Sequence, residues 1–134
     1  MKVAFASMDG KTVDAHFGHC EQFTILHIDE SGYHYLESRS VSHIADEGEV
    51  DKIESRVDAI DDCTLLFICQ IGPAAAARVT RKGVMPVKVT MGTRVSDQLD
   101  QLLDKLKNNP PLWLVKAMRK AEQAVQTAEG PGRN

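Results

Sequence analysis

The chain has 134 residues, 43% hydrophobic and 26% charged, with a formal net charge of −3. These values fit one ordinary globular domain with its own core. They argue against a nucleic-acid footprint, since no basic block is present, and no apolar run approaches the length of a membrane span. The chain enters KVAFAS at once, without the pattern of a signal peptide, which predicts a cytoplasmic protein. Cys20, Cys63 and Cys69 are odd in number and form no C-x-x-C pair. Free thiols are therefore expected, not a disulfide framework or a locally spaced zinc cage.

Residues 2–7 read as a short buried strand, broken by MDG. Residues 8–22 read as a polar loop. FTILHID, residues 23–29, is a second strand. ESG turns the chain and YHYLESRSV gives a third, so the pair reads as an antiparallel hairpin. Val50, Ile53, Val57 and Ile60 then recur at helical spacing. The charged residues of that helix, Glu49, Asp51, Lys52, Glu54 and Arg56, read as a solvated face. CTLLFICQ, residues 63–70, is a continuous apolar run that suits a central strand buried on both faces. Pro73 near the start and Gly83 just past the end bound the next helix. Its AAAA run suggests close packing on a sheet. VMPVKVT is a strand that Pro86 assigns to an edge. Ser96 is the expected N-cap of a helix over about 97–107, with Leu99, Leu102, Leu103 and Leu106 inward. After NNPP, a last helix over about 111–127 is anchored by Trp113, Leu114, Ala117 and Ala121. Residues 1–128 thus form one domain, with the helices of about 97–127 packing on it, and 129–134 form a flexible tail.

The order β-β-β-α-β-α-β-α-α predicts an α/β fold with a mixed sheet covered on both faces. Right-handed crossovers would make the strands near residues 3, 65 and 87 parallel. Ligands of such sheets bind beyond the carboxyl ends of parallel strands. If the first and central strands are neighbours, that edge gathers Met8, His16, His19, Cys20 and Cys69. Imidazole, thiolate and thioether form a soft set suited to late transition metals and iron–sulfur units. Gly72 opens a helix whose N-terminal amides favour an anion, and Arg94 adds positive charge on the same edge. Cys63 should lie at the opposite edge as a structural residue. His27 reads as a sheet histidine with satisfied partners, and His34 and His43 as solvated. Met8 and Met91 are more often packing residues. Enzyme templates fit poorly, although Asp9, Asp14 and Glu21 could hold magnesium in a nuclease-like site.

Three segments carry a resemblance. KVAFASMDGKTVDAHFGHCEQFTIL resembles the start of the dinitrogenase iron–molybdenum cofactor-binding family, the NifX/NifY/NafY group. CQIGPAAAARVTRKGVMPVKV resembles that family's second signature. NNPPLWLVKAM is similar to the C-terminal segment of NifX-type members. The resemblance covers about residues 2–119. It implies a three-layer α/β/α sandwich with a mixed five-stranded sheet and a ribonuclease-H-like motif. It also implies a non-catalytic carrier that transiently binds the iron–molybdenum cofactor or its iron–sulfur precursor, the NifB-cofactor. Expected partners are NifB-type and NifEN-type assembly proteins and apo-dinitrogenase. The histidine of the HFG motif, His16, carries over as a cluster ligand, with Cys20 as the second metal ligand. His19, Cys69, Gly72 and Arg94 complete the candidate cofactor-binding set. His19 departs from a position that is often small in the family. An apo-dinitrogenase chaperone and a small magnesium-dependent ribonuclease-H-like enzyme are the alternative readings.

Overall fold

The computed structural model describes residues 1–41 and 49–129. The expectations for His43, for residues 130–134 and for the side chains of Glu49, Val50 and Asp51 lie outside the described residues. In chain order the elements are β1 (Lys2–Ala6), β2 (Thr12–Val13), a 3-10 turn η1 (Phe17–His19), β3 (Gln22–Asp29), β4 (Gly32–Ser40), α1 (Glu49–Ala59), β5 (Leu65–Ile68), α2 (Pro73–Arg81), β6 (Met85–Lys88), β7 (Thr93–Arg94), α3 (Val95–Lys107) and α4 (Leu112–Glu129).

Five strands form one mixed sheet in the order β4-β3-β1-β5-β6. β3 and β4 make the expected antiparallel hairpin. β1 is antiparallel to β3 and parallel to β5, and β5 is parallel to β6. The parallel trio near residues 3, 65 and 87 is therefore present. Pro86 stands on an edge strand, where its missing N–H is tolerated.

Alternate strand side chains point to opposite faces. Ala4, Ala6, Ile25, Leu66 and Ile68 pack with Val57, Ile60, Ala75 and Val79, from α1, the turn after it and α2. Val3, Phe5, Leu26, Leu65 and Phe67 pack with Leu99, Leu102 and Leu106 of α3 and Leu114 of α4. All four residues of β5 are buried, as its unbroken apolar run requires. The Phe5 and Phe67 rings stack across β1 and β5 at 4.5 Å.

Local chemistry sets the element ends. Pro73 opens α2. Gly83, at φ +86°, closes it in the left-handed conformation. The Gly83 N–H donates to the Thr80 carbonyl at 2.9 Å and the Val84 N–H to the Val79 carbonyl at 3.0 Å, the two bonds of a Schellman motif. Far from the site edge, Asp62 accepts from Lys2 Nζ at 2.9 Å and from Arg39 at 2.6 and 3.0 Å, tying β1 and β4 to the turn before β5. Arg78 of α2 pairs with Glu54 of α1.

Four expectations change. The polar loop over 8–22 contains β2 and η1, because Thr12 and Val13 pair with Arg94 and Thr93 of β7. Ser96 does not cap α3. The helix starts at Val95 directly from β7, with Arg94 at the N-cap position, because Val95 is buried and its N–H donates to the Lys11 carbonyl at 2.8 Å. Trp113 is 37% exposed and does not anchor α4, whereas Leu114, one position on, is fully buried. Of the AAAA run, only Ala75 enters the core. Among the described residues no helix is long and apolar enough to cross a membrane.

Candidate functional site

β1 and β5 are adjacent and parallel, so the segments that follow them meet at one end of the sheet. Residues 14–17 run between the two strand ends and bond to both. The Asp14 N–H donates to the Ala6 carbonyl at 3.1 Å on the β1 side. On the β5 side the Cys69 N–H donates to the Ala15 carbonyl at 3.1 Å, and the Phe17 N–H to the Gln70 carbonyl at 2.8 Å. His16 makes a parallel bridge with Gln70. The loop that carries the histidines is thus built into the sheet.

Two further devices fix that loop. Asp9 Oδ1 accepts from the Lys11 and Thr12 N–H groups at 2.8 and 3.0 Å and from Ser7 Oγ at 3.1 Å. These bonds, the backbone pair above all, hold its carboxyl below the usual range. Phe17 is 1% exposed and packs on Phe23, with ring centroids 6.1 Å apart. Burying Phe17 turns its neighbours outward, so His16, Gly18 and His19 are exposed. The two imidazole centroids lie 6.4 Å apart.

Two open clefts flank His16. The first, about 540 Å³, is lined by Met8, Asp14, His16, His19 and Met91 together with Ala15 and residues 20–22. The second, about 460 Å³, is lined by His16, Cys69, Gln70, Lys88 and Met91 and their neighbours. Asp14 Oδ2 accepts from the Met8 N–H at 3.2 Å, and its Oδ1 is buried without a hydrogen-bond partner among the described residues.

The structure sorts the expected residues. His16 and His19 present open imidazoles to the first cleft. Cys20 also lines it, but its side chain is 1% exposed and sits in the core cluster. Its Sγ donates to the Gln22 carbonyl at 3.1 Å, and burial pushes the thiol up to about 12. Cys69 lines the second cleft at 7% exposure. Its Sγ lies 3.9 Å from Met91 Sδ, and burial raises its thiol as well. Gly72 and Arg94 line neither cleft. Gly72 is the N-cap of α2, its carbonyl accepting from the Ala76 N–H at 2.9 Å, and Arg94 pairs with Thr12 in the small sheet. Cys63 is buried at the other end of β5, as expected. His27 has partners, its Nε2 lying 3.4 Å from the terminal amine.

Sequence reasoning missed two residues. Met91, read as packing, is 57% exposed and lines both clefts. Arg56, read as part of a solvated face, is 1% exposed. Its Nε donates to the Cys20 carbonyl at 2.9 Å and its Nη1 to the Lys52 carbonyl at 3.0 Å.

Among the described residues no three His, Cys, Asp or Glu side chains form a group suited to a metal ion. The exposed soft donors are two imidazoles with the thioethers of Met8 and Met91 at their side, and Glu21 adds an exposed carboxylate. That set is too open for a structural cage around a bare ion. It fits a ligand that brings most of its own coordination and needs one or two further soft bonds.

Comparison with known proteins identifies the family of the chain. A family model described as dinitrogenase iron-molybdenum cofactor matches residues 1–105. NifX of Herbaspirillum seropedicae is 36% identical over 126 residues, covering 93% of this chain and 86% of that protein. NifX of Azotobacter vinelandii is 32% identical over 120 residues, covering 90% and 76%. Among solved structures, the crystal structure of PH0822 superposes with a TM-score of 0.61 at 21% identity, covering 77% of this chain and 90% of that one, and so shares the fold.

Proposed function

Because the chain belongs to the dinitrogenase iron-molybdenum cofactor family, we propose that it serves nitrogenase cofactor biosynthesis as a carrier. It binds the iron–molybdenum cofactor or its iron–sulfur precursor transiently and performs no catalysis. His16 is the principal ligand. The observation that carries this reading is the exposed His16 imidazole on the wall shared by two open clefts, beside soft thioether groups. A preformed cluster supplies its own sulfides, so one or two protein bonds suffice, and few bonds allow release. His19, Cys20 and Cys69 are the secondary ligands of the proposal. The two thiols are raised, so each cysteine would bind metal only on losing its proton. NifB-type donors and NifEN-type acceptors are the partners this role requires. The three-layer reading of the fold is supported by the two core clusters on opposite sheet faces, and the ribonuclease-H-like motif is part of the same proposal.

Anaerobic titration of the purified chain with extracted cofactor tests the proposal. A one-to-one complex is expected, and His16→Ala should weaken it at least tenfold while leaving the fold intact, since the imidazole is exposed. Unchanged affinity in that variant removes His16 as ligand. A chaperone of apo-dinitrogenase would instead hold its protein partner equally well with and without His16. A nuclease-like enzyme would need Asp9, whose Oδ1 already accepts from three donors in the turn.

A further inference from the structure

We infer that Arg56 is a positioning residue of this site, fixing the His16–Cys20 turn from behind and supplying the positive charge that favours an anionic metal–sulfide cargo. The inference rests on the carrier reading above for its cargo, and on the geometry alone for the turn.

Arg56 is the bulkiest of the side chains that are almost wholly buried. A guanidinium in that position normally has a carboxylate beside it, because an isolated cation in a low-dielectric interior is costly. Among the described residues no carboxylate forms an ion pair with Arg56. Its partners among the described residues are two carbonyls, and they differ in kind. Lys52 belongs to its own helix, one turn back. Cys20 lies 36 residues away and closes the histidine turn.

The Cys20 contact is placed where it controls geometry. Within the turn the His19 N–H donates to the His16 carbonyl at 3.0 Å and the Cys20 N–H to the Phe17 carbonyl at 3.3 Å. These are the turn's own bonds, and a three-residue 3-10 turn has no others to hold it. A charge-assisted bond from a rigid helix to the closing carbonyl fixes the exit of the turn. The Phe17 ring and the Gln70 bond fix its entry. The two imidazoles stand between these fixed points.

The same group answers an electrostatic need. Gly72 and Arg94, the expected positive features, line neither cleft, and Lys88 lines only the second, so the first cleft has no lysine or arginine in its lining among the described residues. Asp14 and Glu21 in the first cleft would oppose an anion. Cys20 lines that cleft, so a cation bonded to its carbonyl lies directly behind the wall. At about 10 Å and an effective dielectric of about 50, a buried unit charge favours a dianion about tenfold.

The test has two independent arms. Hydrogen exchange on the apo chain reads the turn. In Arg56→Met, the His19 and Cys20 amides should exchange at least tenfold faster while β5 amides do not change, and Arg56→Lys should restore part of the protection. Equal protection in the wild type and Arg56→Met overturns the positioning role, whatever the cargo is. Anaerobic titration with tetrathiomolybdate, a soluble metal–sulfide dianion, and separately with Co(II), reads the charge. Arg56→Met should weaken the dianion about tenfold and leave Co(II) equal or tighter, with Arg56→Lys close to wild type for the dianion. Parallel loss of both probes, or loss of neither, overturns the charge role. If Arg56→Met does not fold, Arg56→Lys against wild type decides the turn arm, since it keeps charge and loses the fork geometry; protection equal to wild type overturns it. Failure of extracted cofactor to bind the wild type refutes the carrier reading and leaves the exchange arm standing.

Discussion

Replacing Phe17 by alanine should damage both the fold and the site, and its cost can be worked from the structure. The ring is 1% exposed and packs in the core face that holds Phe23 and Ile25. Removing it returns roughly 100 Å² of apolar contact to water or void, about 2.5 kcal/mol at about 25 cal/mol per Å². An unfilled cavity adds to this, and buried Phe→Ala changes cost about 3–5 kcal/mol. The turn sits at the end of the sheet and can partly collapse, so the lower end applies, about 3 kcal/mol. Against a total of about 5–15 kcal/mol that is a large share. Urea denaturation followed by circular dichroism measures it. At a slope near 1.5 kcal/mol per molar, the midpoint should fall by about 2 M. Phe17→Leu, which keeps most of the volume, should cost only about 1 kcal/mol. A loss below about 1 kcal/mol in Phe17→Ala, at unchanged slope, would show that the turn is not anchored in the core and would refute the account of how His16 and His19 are turned outward.

Further expectations concern the rest of the molecule. Arg39, and after it Lys2, hold the Asp62 carboxyl well below its usual range. A depressed folded-state pKa gives stability that is complete above the unfolded value near 3.8 and lost as pH falls through the folded one. Asp62→Asn should therefore cost about 1 kcal/mol at neutral pH, a figure reduced for the partial exposure of the triad, and nothing near pH 1; a constant difference between pH 7 and pH 2 would contradict the assignment. Gly83→Ala should lower stability by about 1–2 kcal/mol because φ is +86° there, a conformation an L side chain resists; a rise in melting temperature would show that the backbone relaxes. With the thiols of Cys20 and Cys63 pushed up to about 12 and that of Cys69 also raised, iodoacetamide at pH 8 should label the native chain slowly and all three cysteines in urea, a contrast that mass spectrometry reads directly. Rapid native labelling at Cys20 would mean that its Sγ is not held against the Gln22 carbonyl.

The strand plan was legible because β5 is an unbroken apolar run and Pro86 is tolerated only at an edge. That the HFG turn meets the end of β5 was legible from the strand order, which brings the carboxyl ends of β1 and β5 together. The internal structure of that loop was not, because β2 is two residues long and pairs with β7 some eighty positions later, a contact that local periodicity cannot report. Trp113 was misplaced because hydrophobicity does not tell which side of a helix start faces the sheet. Arg56 is the instructive error. Ile53, Arg56, Val57 and Ile60 share the i, i+3, i+4, i+7 face, so helical spacing alone puts the guanidinium inward. Reading charge as a sign of solvent overrode that spacing. Cys20 shows the reverse: the motif suggested an available thiolate, and only the packing of the turn reveals the thiol spent on a carbonyl.

His16 walls two openings at once. That arrangement has a kinetic meaning. On the carrier reading proposed above, a ligand at His16 reachable from two sides would let an acceptor arrive at one before the cargo has left the other. Exchange can then proceed through a ternary complex, with its rate rising with acceptor concentration and not limited by spontaneous dissociation. On that reading, the cluster would pass from protein to protein without ever being free in solution.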